Sequence, residues 1–296
     1  MRNSVTPFHS ITQYREGLYK IVTFKSAGAF PQESEQYFEK KAAETYDHKL
    51  DNSFSRARSM VLQYALCNDW TYFFTGTIDK AKYDRFNLDT FYKALSQFIR
   101  DKRKAYGTQI QFLLVPEHHE DGAWHIHGLL QGLDIPYVVP FGPEAPRKLL
   151  EGGFLNWPDY QEKFGFCSLG LIRNRLATAF YICKYVTKDM SQRSEDLGKH
   201  LYFHSRPLKK AEKVSEIFLP APPLEAMCSS DFDFCKTGFV QGGDWTFPYI
   251  WDGVEFDSEP FGEMPVPIIN PKAVLADFDP TTIEPAYEQL KIYEMR

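Results

Sequence analysis

Residues 110–130 read Ile110-Gln-Phe-Leu-Leu-Val-Pro-Glu-His-His-Glu-Asp-Gly-Ala-Trp-His-Ile-His-Gly-Leu-Leu130, and their pattern decides the fold. Two apolar runs, 110–117 and 123–130, flank His118-His-Glu-Asp-Gly122, whose Asp-Gly ending is turn chemistry. The pattern predicts an antiparallel hairpin. Side chains alternate along a strand, so His125 and His127 share one face and Ile126 takes the other. Glu117 lies on the opposing arm, where a hairpin of this length brings its carboxylate across from the two imidazoles. Two histidines and a carboxylate suit Mg²⁺ or Mn²⁺ and would also hold Zn²⁺; open positions on such an ion would polarise a phosphate oxygen. The plainer reading is a chance His-x-His in a strand. His118 and His119, in the turn, are a rival pair read as exposed or auxiliary.

Outward from the hairpin, Trp70-Thr-Tyr-Phe-Phe-Thr-Gly-Thr-Ile78 is rich in aromatic and β-branched residues and predicts a central strand. Leu18–Phe24 predicts another, and residues 31–68 have helical composition. In Asn87–Arg100, the residues Leu88, Phe91, Leu95, Phe98 and Ile99 fall on one stripe, an amphipathic helix ending in the basic run Arg100-Asp-Lys-Arg-Lys104. Lys102, Arg103 and Lys104 are therefore candidates for tracking a nucleic-acid backbone, although a charge run at a helix end is often only a solvated face. Residues 131–167, with Pro136, Pro140, Pro143, Pro146, Pro158 and Gly152-Gly153, read as an insertion between core elements, and a long helix is expected to resume near Ser168.

Within that helix, Leu169–Lys188 can be placed at 100° intervals. Tyr181, Lys184, Tyr185 and Lys188 share one arc, opposite Ile172, Leu176, Ala179, Phe180, Ile182, Cys183 and Val186. One face is available for packing and the other presents two phenols and two ammonium groups. A phenol is a weak nucleophile at neutral pH; a nearby cation favours phenolate, and a metal would make a phosphorus more electrophilic. A surface helix with two half-buried tyrosines is the plainer alternative.

The chain has 296 residues, 43% apolar and 25% charged, enough for one substantial core or two modest ones, which rules out disorder throughout. Its net charge of −5 averages two unlike parts. Residues 220–296 hold 14 acids against 4 bases, net −10, and 10 of the 19 prolines; residues 1–219 carry +5. An acidic total thus does not exclude a DNA-binding surface. The expected division is 1–219 as one domain, with an N-terminal extension and the insertion, followed by an acidic, proline-rich module, wrap or tail. No apolar run is long enough for a membrane span and the start lacks a secretory signal's apolar core, so a cytoplasmic protein is expected. Five cysteines without metal-ligand spacing read mostly as small buried hydrophobes.

His125-Ile-His127 followed by Tyr181-Ile-Cys-Lys-Tyr-Val-Thr-Lys188 resembles the HUH family of rolling-circle replication initiators, and the tyrosines four apart resemble the two-tyrosine branch of small single-stranded DNA phages and some bacterial plasmids. Phe73-Phe-Thr-Gly-Thr77 is similar to the family's upstream strand, with Gly76 in place of its usual apolar residue. The resemblance covers about residues 70–190. It implies an α+β fold, the HUH endonuclease fold, with a central antiparallel sheet and helices mainly on one side, related to ferredoxin-like and RNA-recognition folds.

It further implies a divalent metal, Mg²⁺ or Mn²⁺, on Glu117, His125 and His127. Tyr181 or Tyr185 would nick single-stranded origin DNA through a 5′-phosphotyrosine, with Lys184 and Lys188 in support and Arg173 and Arg175 as DNA contacts. A host polymerase and a separate helicase are the implied partners, the latter because the sequence has no GxxxxGK[ST] string. A relaxase or HUH transposase would share the cleavage chemistry, and a non-enzymatic nucleic-acid-binding protein is the reading from a different class.

Overall fold

The computed structural model describes residues 8–24, 46–119, 121–186, 201–218, 230–231 and 235–241. Contacts divide these into two compact units, one combining 8–24 with the described residues after 209, the other built from 47–209.

In the first unit, β1 (Phe8–Arg15) and β2 (Leu18–Phe24) pair as an antiparallel hairpin. The other edge of β1 takes the strand Glu212–Phe218, and β2 takes Cys235–Gln241, which pairs in turn with Ser230–Asp231. Ile11, Tyr14, Leu18, Ile21 and Phe239 are buried, with Tyr14 edge-on to Phe239 at 5.4 Å between ring centroids. The strand expected at 18–24 forms. The expected boundary after residue 219 is crossed by this sheet, whose strands come from both sides of that position. Most of 220–296, including Cys228, lies outside the described residues.

The second unit runs α1 (Tyr46–Cys67), β3 (Tyr72–Thr77), α2 (Leu88–Tyr106), β4 (Gln111–His118), β5 (Trp124–Gln131), β6 (Val139–Pro140), α3 (Arg147–Glu151), β7 (Leu155–Asn156), α4 (Pro158–Phe164), β8 (Cys167–Leu171), α5 (Arg175–Tyr185) and β9 (Phe203–His204). Its seven strands order as β6-β7-β8-β3-β5-β4-β9, every pair antiparallel. The architecture is α+β, with antiparallel sheets and flanking helices. Of residues 31–68, those before Tyr46 lie outside the described residues.

Helix α2 forms as its stripe requires: Leu88, Phe91, Leu95, Phe98 and Ile99 are all buried. The Asn87 side chain accepts a hydrogen bond from the Thr90 amide at the start, and Gly107 closes the end at φ 69°, where a residue with a Cβ would be strained. The stripe packs on Tyr72, Phe74, Trp124, Ile126 and Leu130, all on one face of β3 and β5. Each of these large side chains contributes about 1.5–3 kcal/mol by leaving water. The opposite face, carrying Phe73 and His127, meets α5. Helices thus lie on both faces, not mainly on one, because alternate residues of β3 and β5 leave two faces that each need cover.

Two expectations along 131–188 are corrected. The helix expected from Ser168 is a strand as far as Leu171, because Leu169 and Ser168 pair with Phe74 and Thr75 of β3. The helix begins only at Arg175, where the Asn174 side chain caps the Ala177 amide. Residues 131–167 are more than an insertion. They supply edge strands β6 and β7, and Trp157, Tyr160 and Phe164 join the core.

This segment also explains Gly76. A Cβ there would lie 2.5 Å from Phe74 Cζ and 2.6 Å from the Tyr160 hydroxyl. The space that an apolar side chain would need at position 76 is filled by Tyr160 of α4, buried beside Phe74.

Candidate active site

Strand register assembles the site. In the β4–β5 ladder Glu117 is opposite His125 and Val115 opposite His127; in β3–β5, Thr75 is opposite His127 and Thr77 opposite His125. Directly paired residues project to the same face, so Glu117, His125, His127, Thr75 and Thr77 all meet on one side. Period two along each strand makes this unavoidable once the register is set.

At the centre, His127 Nε2 lies 2.7 Å from Glu117 Oε2 and its Nδ1 lies 3.3 Å from the Thr75 hydroxyl. A neutral ring with its proton on Nε2 satisfies both: it donates to the carboxylate and accepts from the threonine. The two side chains of the pair are only 11% and 13% exposed, so their attraction is weakly screened by solvent. Thr75, in the predicted strand but not singled out as a site residue, orients the imidazole. Its signal was the alternation of β3 combined with a register that the sequence does not reveal.

His125 stands apart from this contact. Its ring stacks on His119, centroids 4.9 Å apart, and Asp121 is 3.5 Å from His119 Nδ1. Burial, followed by the neighbouring His119 and His127, pushes the His125 imidazole below its ordinary pKa against the opposing pull of Glu117 and Asp121. His118 packs on Trp124 at 3.5 Å.

Among the described residues no three His, Cys, Asp or Glu side chains are grouped closely enough to hold an ion. The donor chemistry still fits a divalent cation. A carboxylate and an imidazole nitrogen are in contact, and a second imidazole, biased toward its neutral form, shares their face. The expected three-residue set is thus met by two members in contact, because Glu117 and His127 satisfy each other while His125 is drawn to His119.

Helix α5 covers this centre. Ala179, Phe180, Ile182 and Cys183 are buried, and Tyr181 and Tyr185 project to the histidine side. The Tyr185 ring stacks on His127 at 3.9 Å and 14°. Tyr181 packs edge-on to Phe73 at 5.5 Å. The Tyr185 hydroxyl donates to the Tyr181 oxygen over 2.9 Å. Burial first, then this bond, the Tyr181 charge and Glu117 hold the Tyr185 phenol well above its ordinary pKa. The exposed Lys184 ammonium sits 5.2 Å from the Tyr181 ring centroid. Lys188 lies outside the described residues.

The remaining basic candidates are not brought to this centre. Lys102 pairs with Asp159 and lies against the Phe98 and Tyr106 rings, and Arg103 Nε donates to the Ile110 carbonyl at 2.8 Å, both on the α2 side of the sheet. Lys104 is exposed on the same helix. Arg175 pairs with Asp69, ahead of β3, and Arg173 is exposed just before α5, whereas His125 and His127 pair with the far end of β3.

An antiparallel α+β unit that sets a carboxylate and two imidazoles of a hairpin beneath a helix bearing two phenols is now in place. Residues 71–190 match a family model described as a replication-associated protein of the ORF2 type, so a replication-associated domain of this kind is present over that part of the chain. The matched stretch starts one residue before β3 and contains every residue of the centre just described. No curated protein and no solved structure matches the chain. Among the described residues, no helix is long and apolar enough to cross a membrane.

Proposed function

We propose that residues 71–190 form the nicking and joining core, of the HUH type, of a rolling-circle replication initiator acting on single-stranded origin DNA. The observation that carries this reading is one contiguous line of side chains: Thr75 and Glu117 on His127, His127 on Tyr185, and Tyr185 on Tyr181. It joins a potential cation site to two potential nucleophiles on the same face of the sheet.

Glu117 and His127 would hold a divalent cation, with His125 as the third donor, and the bound ion would withdraw electron density from the scissile phosphate. The chain's own residues do the rest. Tyr181 is the better first nucleophile: it accepts the Tyr185 proton donor, and Lys184 stands over its ring, so negative charge on its oxygen is favoured. Tyr185 stays protonated and acts as that donor. The Tyr181 oxygen bonds to phosphorus as the bond to the 3′-oxygen breaks. The 5′-phosphate remains on tyrosine, and the departing 3′-oxygen takes a proton from water to become a hydroxyl that a polymerase extends. Because the link conserves a phosphodiester bond, a 3′-hydroxyl can later reverse it and close the strand without ATP, with Tyr185 available for the second cut.

The test is incubation of the full chain with labelled single-stranded origin oligonucleotide and Mn²⁺ or Mg²⁺, followed by denaturing electrophoresis. A metal-dependent covalent band that disappears in Tyr181→Phe/Tyr185→Phe is expected. A band that survives the double substitution overturns the assignment of the nucleophile.

A further inference from the structure

Six large apolar side chains are exposed among the described residues, and the two aromatic ones are Phe86, 58% exposed, and Phe166, 43% exposed. Both attach directly to the strand ends around His125. On one side, the amide of Trp124 donates to the Arg85 carbonyl at 2.9 Å and its indole to the Phe86 carbonyl at 3.3 Å. On the other, Thr77, which pairs with His125, donates both its amide at 2.8 Å and its hydroxyl at 2.7 Å to the Phe166 carbonyl. One ring therefore belongs to the neighbour before His125 in the chain and the other to its neighbour across the ladder.

The segment bearing Phe86 is pinned. The Asp79 amide donates to Phe164 O at 2.8 Å, Lys82 Nζ donates to the carbonyls of Gln161 and Glu162 at 2.9 and 2.7 Å, and Arg85 pairs with Asp121 at 2.7 Å. The Arg85 guanidinium lies 5.4 Å from the Phe86 ring centroid. Phe166 is backed by Phe141, the two rings stacked at 5.8 Å and 25°. Large rings held in water on restrained backbone gain little from packing in the chain itself. A nucleobase is a matching occupant, because each base has an apolar π face and carries a phosphate that the neighbouring arginine can attract. Restraint before binding lowers the ordering cost of such a contact.

We infer that Phe86, with Arg85 beside it, and Phe166, backed by Phe141, are stacking platforms for the bases on the two sides of the phosphate presented to His125 and Tyr181. This rests on the nuclease reading and adds to it the feature that holds a flexible single strand in place. Stacking tolerates any base, so the platforms provide grip, and sequence preference comes from elsewhere.

The test uses the full chain carrying Tyr181→Phe and Tyr185→Phe, which prevents covalent capture, and fluorescence anisotropy with labelled oligodeoxythymidylate of about 16 nucleotides and its abasic counterpart. Phe86→Ala and Phe166→Ala should each weaken binding to the thymidylate strand roughly 5- to 100-fold. They should leave the abasic strand, the salt dependence and the melting temperature unchanged, and Phe→Trp at either position should keep the parent's affinity. Unchanged thymidylate affinity in the double alanine variant overturns the inference, as does an equal loss for the abasic strand. Loss of self-association without any effect on DNA overturns it in favour of a contact between copies of the chain. A parent that binds neither strand overturns the nuclease reading itself, whereas a parent that binds both and variants that match it overturn only the platforms.

Discussion

The hydrogen bond from Tyr185 to Tyr181 gives the two tyrosines unequal roles, and Phe substitutions separate them. Both rings stay in place in Phe variants, so the Tyr185 stack on His127 at 3.9 Å and the Tyr181 contact with Phe73 at 5.5 Å are retained. Tyr185→Phe removes only the donor. A neutral hydrogen bond contributes about 0.5–1.5 kcal/mol and one to a charged acceptor about 1.5–3 kcal/mol. Ionisation of Tyr181 therefore strengthens the bond by about 1–1.5 kcal/mol, and losing this gain slows attack by about 5- to 13-fold. Tyr181→Phe removes the attacking oxygen and leaves only Tyr185, whose phenol burial holds protonated. Single-turnover formation of the covalent adduct, followed on denaturing gels with Mn²⁺ and a single-stranded origin oligonucleotide, should be slowed about tenfold by Tyr185→Phe and much more by Tyr181→Phe. The Tyr185→Phe rate should recover as pH rises, since more Tyr181 then ionises without help. Wild-type rates in Tyr181→Phe with none in Tyr185→Phe would refute the reasoning and exchange the two roles.

The His127→Ala variant should lose both calorimetric Mn²⁺ binding and metal-dependent cleavage, and His125→Ala should weaken Mn²⁺ binding; a His127→Ala protein with unchanged binding removes the hairpin as the cation site. Gly76→Ala should cost about 1–3 kcal/mol in urea unfolding, because its Cβ would meet Phe74 and the Tyr160 hydroxyl at 2.5 and 2.6 Å. Tyr160→Phe removes a buried hydroxyl that has no hydrogen-bond partner among the described residues, so it should be neutral or stabilising and should recover part of the Gly76→Ala loss. At alkaline pH, burial and then Asp134 push Tyr72 up to about 12 from 10.0. Burial likewise raises Tyr160 and Tyr185. Ionisation then favours the unfolded chain, so stability should be full below pH 10 and fall as pH rises toward 12, with tyrosine absorbance and circular dichroism changing together. Tyrosine ionisation at its ordinary pKa in a still-folded protein would contradict this.

The features legible in the sequence are local ones. Period-two alternation with Asp121-Gly122 at the turn specifies the β4–β5 hairpin, and the stripe Leu88-Phe91-Leu95-Phe98-Ile99 specifies α2. The four-residue spacing of Tyr181 and Tyr185 puts both phenols on one side of α5. Each depends only on the repeat of a single element, so position in the chain is enough to read it.

Where one element's state depends on another, the sequence is ambiguous. Cys167–Leu171 is short and apolar enough for either helix or strand, and the open edge of β3 decides in favour of strand. Gly76 reads as a departure from the family pattern, and its reason lies with Tyr160, more than eighty residues away, which occupies the space a side chain would need. The basic run at 100–104 suggests DNA, whereas two of its members are engaged with Asp159 and the Ile110 carbonyl on the other face of the sheet.

By itself, then, the sequence determined which side chains share a face: His125 with His127, and Tyr181 with Tyr185. Tertiary structure decided which of them touch. It set Glu117 against His127 while His125 turned to His119, aimed the Tyr185 proton at Tyr181, and joined strands from before residue 25 and after residue 211 in one sheet. The physical reason is that periodicity is a property of one element, whereas contact depends on register and packing between elements distant in the chain.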